Sequence, residues 1–156
     1  GAWLRAHKPR TFTPGIIHGD YQFANVMFRH GAPARMAAIV DWEMATVGDP
    51  LLDLAWVVMG WPNPDEDRSS MAYVDYRGMP SREDLLERYA RVSGLPVDEI
   101  DYYVILARFK MAVVLEGGYA RFVKGGADNP KMAAFGDVVL DMARKAAELA
   151  RTTSLR

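Results

Sequence analysis

The strongest constraint on the fold is a polar loop enclosed by apolar segments in the first third of the chain. The loop begins at His18, includes Asp20 and ends at Asn25, with the apolar residues 15–17 before it and 26–28 after it. Short apolar runs bounded by turn residues are typical of buried strands. The pattern therefore predicts a loop held between two strand-like segments, with the side chains of Asp20 and Asn25 pointing into one cleft.

A second apolar run follows after a turn-rich segment. Residues 29–35 contain Gly and Pro, and residues 36–40 are again apolar and lead directly into Asp41. Two apolar runs joined by such a segment predict a β-hairpin. Because a hairpin returns the chain to its starting edge, we expect Asp41 to lie beside Asn25.

These polar residues match the requirements of phosphoryl transfer. That reaction needs a carboxylate to orient the attacking hydroxyl and accept its proton, and oxygen ligands for magnesium ions on the phosphates. Magnesium takes few ligands from the protein and the rest from phosphates and water. Asp20, Asn25 and Asp41 can supply these functions.

The order of the motifs resembles the aminoglycoside phosphotransferase (APH) family, the small-molecule branch of the protein-kinase-like fold. The resemblance is carried by HGDxxxxN at residues 18–25, by DWE at residues 41–43 and by GDPLLDLA at residues 48–55. It covers residues 16–55 closely and the helical remainder more loosely. The DWE triplet and residues 109–117 are more similar to the subgroup related to kinase domains fused to acyl-CoA dehydrogenases than to drug-resistance enzymes.

The resemblance implies a role for each matching residue. Asp20 would be the catalytic base, and Asn25 and Asp41 would be the magnesium ligands. His18 would be a structural residue of the catalytic loop, and Asp53 would hold that loop from the following helix. ATP would be the co-substrate and Mg²⁺ the cofactor.

Other polar positions are candidates for the site or for ordinary structural roles. Glu43 is a candidate for the vicinity of substrate or metal, and its alternative is a polar loop residue beside Trp42. Asp49 directly precedes a proline, an arrangement typical of a helix cap. The acidic segment at residues 61–70 is either a solvated surface loop or a lip that recognises a cationic substrate.

Capping residues and apolar periods predict a mainly helical α+β fold with a small β-hairpin. The resemblance implies that this fold is the helical C-terminal lobe of a protein-kinase-like fold, in which the hairpin is catalytic. Helices are predicted over residues 2–7, 49–60 and 81–94, then from Asp98 towards the glycines at 117 and 118, and from Pro130 onward. The predicted inward positions of the last two helices include Val114 and Val138. We expect residues 1–156 to form a single domain, which at this length can bury a core.

Composition restricts the function classes. The 19 basic and 20 acidic residues nearly cancel, so no basic surface for nucleic acid or for an anionic membrane is expected. The chain has no cysteine and therefore no disulfide framework or thiolate chemistry. No apolar run has the length of a membrane span, and a cytoplasmic location is expected.

The function predicted from the sequence is ATP-dependent transfer of a phosphoryl group to a hydroxyl of a small molecule. Few residues precede His18, so we expect the N-terminal lobe, with its phosphate-binding lysine, to be missing and the isolated lobe to be inactive and prone to self-association. A catalytically silent binding module is the alternative. A metal-dependent phosphohydrolase that uses Asp20 and Asp41 is a third interpretation.

Overall fold

The computed structural model describes residues 1–62, 74–126 and 129–155. Most of the predicted acidic loop at residues 61–70 therefore lies outside the described residues; only Trp61 and Pro62 are described, and both are buried. In the described ranges, no helix combines the length and the apolar character that crossing a membrane requires.

The described segments contain five α-helices and four short strands. The helices are α1 (Ala2–Ala6), α2 (Leu51–Val58), α3 (Arg82–Ser93), α4 (Ile100–Val123) and α5 (Phe135–Thr152). The strands are β1 (Gly15–Ile17), β2 (Val26–Phe28), β3 (Met36–Ile39) and β4 (Thr46–Gly48). The predicted mainly helical α+β class is confirmed.

The chain forms two compact units, one of Gly1–Thr11 with Glu99–Arg156 and one of Phe12–Asp98. We call the first the helical unit and the second the loop unit, because the second contains the HGDxxxxN motif. The expectation of one domain over the whole chain stays a prediction.

Two antiparallel strand pairs frame the loop unit. β2 pairs with β3 through Val26 and Ile39, which is the hairpin that the sequence predicted. β1 pairs with β4, so that the strand before the motif is joined to the strand after the second motif. Ile17 points into the core, and its neighbour Ile16 is exposed, as expected for alternating positions of a strand.

Apolar and capping residues account for the burial of α2 and for the ends of the helices in the loop unit. α2 buries five of its eight residues, as its largely apolar sequence predicts. Asp49 accepts the backbone N–H of Leu51 at 2.9 Å and so satisfies one unpaired donor at the start of α2. Ser81 and Asp84 form the predicted capping box of α3, and Gly94 ends this helix in the left-handed conformation.

The helical unit departs from prediction in its details. α4 begins at Ile100, two residues after the predicted Asp98, and continues through both glycines to Val123. A Cβ on Gly118 would lie 3.1 Å from the ring of Phe135, so this glycine allows α5 to approach α4 within a continuous helix. Val114 and Val138 were predicted to face inward and are exposed.

The last predicted helix is divided. Pro130–Met132 forms a short 3-10 helix, and α5 starts only at Phe135. Proline is favoured at the first position of either kind of helix. Pro130 therefore correctly predicted that a helix begins here, but it did not distinguish a 3-10 helix from an α-helix.

Candidate active site

The HGDxxxxN loop connects β1 to β2 and lies entirely within the loop unit. His18 is 2% exposed, and Asn25 is 8% exposed, which makes them the two buried polar residues of the described chain. Gly19 has φ +83°, and a Cβ there would lie 2.5 Å from the carbonyl oxygen of Met44. Both the backbone conformation and the space therefore require glycine at the second position of the motif.

His18 links the loop to the end of the hairpin. Its Nδ1 accepts the backbone N–H of Asp20 at 3.3 Å, and its Nε2 lies 2.8 Å from the carbonyl oxygen of Val40. This arrangement assigns the ring proton to Nε2, which donates to Val40. The ring of Trp42 packs on the imidazole with the centroids 4.8 Å apart. His18 is thus buried with both ring nitrogens in hydrogen bonds to the backbone. Its predicted role as a structural residue of the catalytic loop stays a prediction.

Asp53 holds the loop backbone from the first half of α2. Its Oδ2 accepts the N–H of His18 at 2.6 Å, and its Oδ1 accepts the N–H of Gly19 at 2.8 Å. One carboxylate thus binds two successive backbone donors. This pair of bonds fixes the loop at the point where it leaves β1.

The carboxylate of Asp20 accepts hydrogen bonds from three side chains. Asn25 Nδ2 donates to Oδ2 at 3.1 Å and also to the backbone oxygen of Asp20 at 2.9 Å. Gln22 Nε2 lies 3.0 Å from Oδ1 and 3.1 Å from Oδ2. Trp56 Nε1 donates to Oδ1 at 2.7 Å. A carboxylate offers about four lone-pair directions, so most of them face protein donors.

Trp56 and Gln22 are contacts that the sequence interpretation missed. A signal for Trp56 was present, because it lies one helical turn after Asp53 and residues at that spacing share a helix face. Gln22 lies two residues after Asp20 in the same loop, where a side-chain amide can bond locally.

The hairpin brings Asp41 to the same end of the sheet as Asn25. The backbone N–H of Val40 donates to the carbonyl oxygen of Asn25 at 2.9 Å, and Asp41 is the next residue. Asp41 has φ 65° and ψ 55°, the left-handed conformation, and is exposed. A non-glycine residue in this conformation costs free energy and is often found at functional sites.

The oxygens of Asn25 and Asp41 fit a magnesium site. Asn25 uses its Nδ2 toward Asp20, and no residue in the described ranges donates to its Oδ1. The carboxylate of Asp41 likewise accepts no hydrogen bond from the described part of the chain. Oxygen ligands of this kind, with further oxygens from phosphates and water, are the set that magnesium prefers.

Glu43 lies in the short 3-10 helix Trp42–Met44 and is exposed. The described residues include no group of three His, Cys, Asp or Glu side chains that could hold a metal by themselves. A magnesium site at Asn25 and Asp41 would therefore need further ligands from outside the protein.

Comparison with known proteins gives consistent matches. The family model described as "Phosphotransferase enzyme family" (APH) matches residues 2–93. Acyl-CoA dehydrogenase family member 11 of Gallus gallus is 33% identical over 97% of this chain and 20% of its own length. Acyl-CoA dehydrogenase family member 10 of Mus musculus is 29% identical over 99% of this chain and 15% of its own length.

A solved structure agrees with these matches. The crystal structure of a candidate aminoglycoside phosphotransferase from Ralstonia eutropha JMP134 superposes with a TM-score of 0.81 at 29% identity, covering 96% of this chain and 47% of that one. The chain spans about a fifth of the length of the first curated relatives. The resemblance predicted from the motifs is confirmed, and the chain belongs to the phosphotransferase enzyme family.

Proposed function

We propose that this chain is the catalytic lobe of an ATP-dependent phosphotransferase that phosphorylates a hydroxyl of a small molecule. The observation that carries the proposal is the arrangement at Asp20. One buried amide, Asn25, donates to this carboxylate with its nitrogen while its oxygen has no donor among the described residues. The same amide is therefore suited to orient the base and to bind a cation.

Asp20 is the proposed base. A kinase-like transfer relies mainly on positioning and on charge neutralisation, because the transferred phosphoryl group needs little covalent assistance. The side chain of Asp20 is half-buried and is held by donors on both oxygens. It would orient the substrate hydroxyl toward the γ-phosphorus of ATP and accept the hydroxyl proton as the new P–O bond forms, while the bond from the γ-phosphorus to the bridging oxygen breaks and ADP leaves.

Asn25 and Asp41 would hold Mg²⁺, which when bound neutralises charge on the nucleotide phosphates. The left-handed backbone of Asp41 supports this role, because the chain keeps an uncommon conformation at an exposed carboxylate. For Glu43, a position near the metal or the substrate stays a proposal.

His18 and Asp53 would act by keeping the loop in one conformation. The bonds of Asp53 to the backbone of His18 and Gly19, and the bond of His18 to Val40, join the loop, α2 and the hairpin. A displacement of the base by about 1 Å can reduce the rate about 100-fold, so such bonds are important for turnover.

We propose that the activity belongs to a longer polypeptide. The chain corresponds to 47% of the structural relative, and kinase-like transfer also needs a phosphate-binding lysine and a loop over the phosphates. Partners would then be the nucleotide, the hydroxyl substrate and an N-terminal lobe. A cytoplasmic location stays a prediction.

The test is phosphoryl transfer by the longer protein with Mg²⁺-ATP and a library of hydroxyl compounds, measured as nucleotide consumption. Asp20→Ala should reduce turnover by about 100-fold to 10,000-fold and leave nucleotide affinity nearly unchanged, because the base acts on the hydroxyl. Asp75→Ala, which removes an exposed carboxylate paired with Arg77, is the matched control and should retain turnover.

Two outcomes would contradict the proposal. Turnover of the Asp20 variant within a few-fold of the wild type would exclude Asp20 as the base. Nucleotide binding without transfer to any hydroxyl compound would instead support the silent binding module.

A further inference from the structure

The hydrogen bonds to the Asp20 carboxylate differ in length. Gln22 offers one nitrogen to both oxygens at 3.0 and 3.1 Å, and Asn25 donates at 3.1 Å. Trp56 makes the shortest of these bonds, 2.7 Å from Nε1 to Oδ1.

Trp56 is also held by its buried surroundings. It is 6% exposed, and its neighbours Leu54, Ala55 and Val58 on α2 are buried as well. A large indole in a packed interior occupies one rotamer, because its rotation would displace the surrounding side chains. Gln22 is half-buried and lies on the same loop as Asp20, only two residues away.

α2 therefore contacts the loop in two ways, through the loop backbone and through the side chain of Asp20. Asp53 binds the backbone N–H groups of His18 and Gly19, and Trp56, one turn later, binds the carboxylate of Asp20. The backbone bonds fix where the loop lies. The indole bond fixes how the carboxylate plane is turned, which backbone bonds alone leave free to rotate about the side-chain dihedrals.

We propose that Trp56 is a positioning residue for the base. Its indole N–H occupies one lone pair of Oδ1, so that the remaining lone pairs of the Asp20 carboxylate keep a constant direction toward the hydroxyl to be deprotonated. The inference rests on the proposed function, in which Asp20 receives that proton. In this proposal Trp56 acts through its bond to Asp20.

The kinetic test compares two tryptophan variants in the longer protein. Trp56→Phe keeps an aromatic ring and removes the N–H, and we expect kcat to fall about 10-fold to 100-fold with the KM of both substrates nearly unchanged. Trp61→Phe is the matched control: Trp61, 8% exposed, donates its Nε1–H to the carbonyl oxygen of Pro80 at 3.1 Å. This variant should keep kcat within a few-fold.

Coupling to Asp20 separates positioning from a general loss of structure. In the Asp20→Ala background, Trp56→Phe should lower the residual turnover no further, because the group that it orients is gone. Equal kcat values for Trp56→Phe and Trp61→Phe, or a full additional loss in the Asp20→Ala background, would overturn the inference.

A second measurement does not depend on activity. In protein labelled with ¹⁵N-tryptophan, the indole N–H signal of Trp56, identified by its loss in Trp56→Phe, should move when Asp20 is changed to Ala, and the signal of Trp61 should not. An unmoved Trp56 signal would overturn the contact and with it the inference.

The two measurements separate failure of the inference from failure of the proposed function. Transfer by the wild type together with equal turnover of the two tryptophan variants overturns the inference alone. Absence of transfer in the wild type, with the Trp56 signal still moved by Asp20→Ala, overturns the proposed function and supports the contact.

Discussion

Replacement of Asp53 by alanine should destabilise the loop unit more than its half-buried position alone would suggest. The variant removes the acceptor of two backbone donors, the N–H of His18 at 2.6 Å and the N–H of Gly19 at 2.8 Å. A hydrogen bond to a charged group contributes about 1.5–3 kcal/mol. Because water can reach the half-buried site, we take the lower value for each bond and expect a loss of about 3 kcal/mol in the free energy of unfolding.

The assay is urea unfolding at neutral pH. A loss of this size at an m-value of about 1–3 kcal/mol/M lowers the unfolding midpoint by about 1–3 M. Asp53→Asn should lose less, because its carboxamide oxygen still accepts one of the two N–H groups. Turnover of the longer protein should fall with Asp53→Ala, since the loop that carries Asp20 loses its fixed position.

Asp84→Ala is the matched control. Asp84 is also a helix-associated carboxylate that accepts a backbone N–H, from Ser81 at 3.1 Å, but it is exposed. Loss of such a capping interaction costs about 1 kcal/mol. Equal destabilisation by Asp53→Ala and Asp84→Ala would refute the reasoning, because the two backbone bonds would then contribute nothing beyond an ordinary cap.

Three further outcomes follow from the site. Asp41→Ala should weaken magnesium-dependent nucleotide binding as well as turnover. Asn25→Ala should weaken both more mildly, because only the Asp41 variant removes a charged ligand. If titrations show an unchanged magnesium dependence of the Asp41 variant, the assignment of Asp41 as a magnesium ligand is wrong. The 156-residue chain alone should fold, and sedimentation should show self-association through the exposed apolar residues of the hairpin. Its phosphoryl transfer should not exceed the assay background, and calorimetry should detect little binding of magnesium-ATP. Robust transfer by the chain alone would contradict this prediction. Burial, and then the charges of Asp49 and Asp53, raise the pKa of Tyr89 above its usual 10.0, so its contribution to stability is present below that pH and is lost as the pH rises through the folded pKa. Unfolding midpoints measured across that range should fall less steeply for Tyr89→Phe; identical pH profiles would argue against the shift.

The elements that the sequence predicted correctly depend on contacts between near neighbours in the chain. The capping box joins Ser81 and Asp84, and the left-handed Gly94 ends the same helix. The hairpin follows from two apolar runs and one turn-rich segment. In each case the stabilising bond lies within a few residues or across one turn, so residue types at fixed spacing are sufficient to predict it.

Burial along the long helices was harder to predict. Helical spacing identified a stripe on α4, and Ile100, Tyr103 and Val104 are buried as expected, but Val114 is 56% exposed. The passage of α4 through Gly118 depends on the ring of Phe135, a residue of another helix. The period of apolar residues identifies one face of a helix. Which other helix packs against that face depends on the tertiary fold.

The sequence by itself determined the chemistry of the site: the residue types of the HGDxxxxN and DWE motifs, and the hairpin that joins them. The tertiary structure alone decided which distant residues hold Asp20 and its loop. The bond from Trp56 to Asp20 spans 36 residues and the bonds from Asp53 to the loop span 34 and 35. Contacts at such separations depend on how α2 packs against the loop, and a packing arrangement is a property of volumes and directions in space that no local spacing encodes.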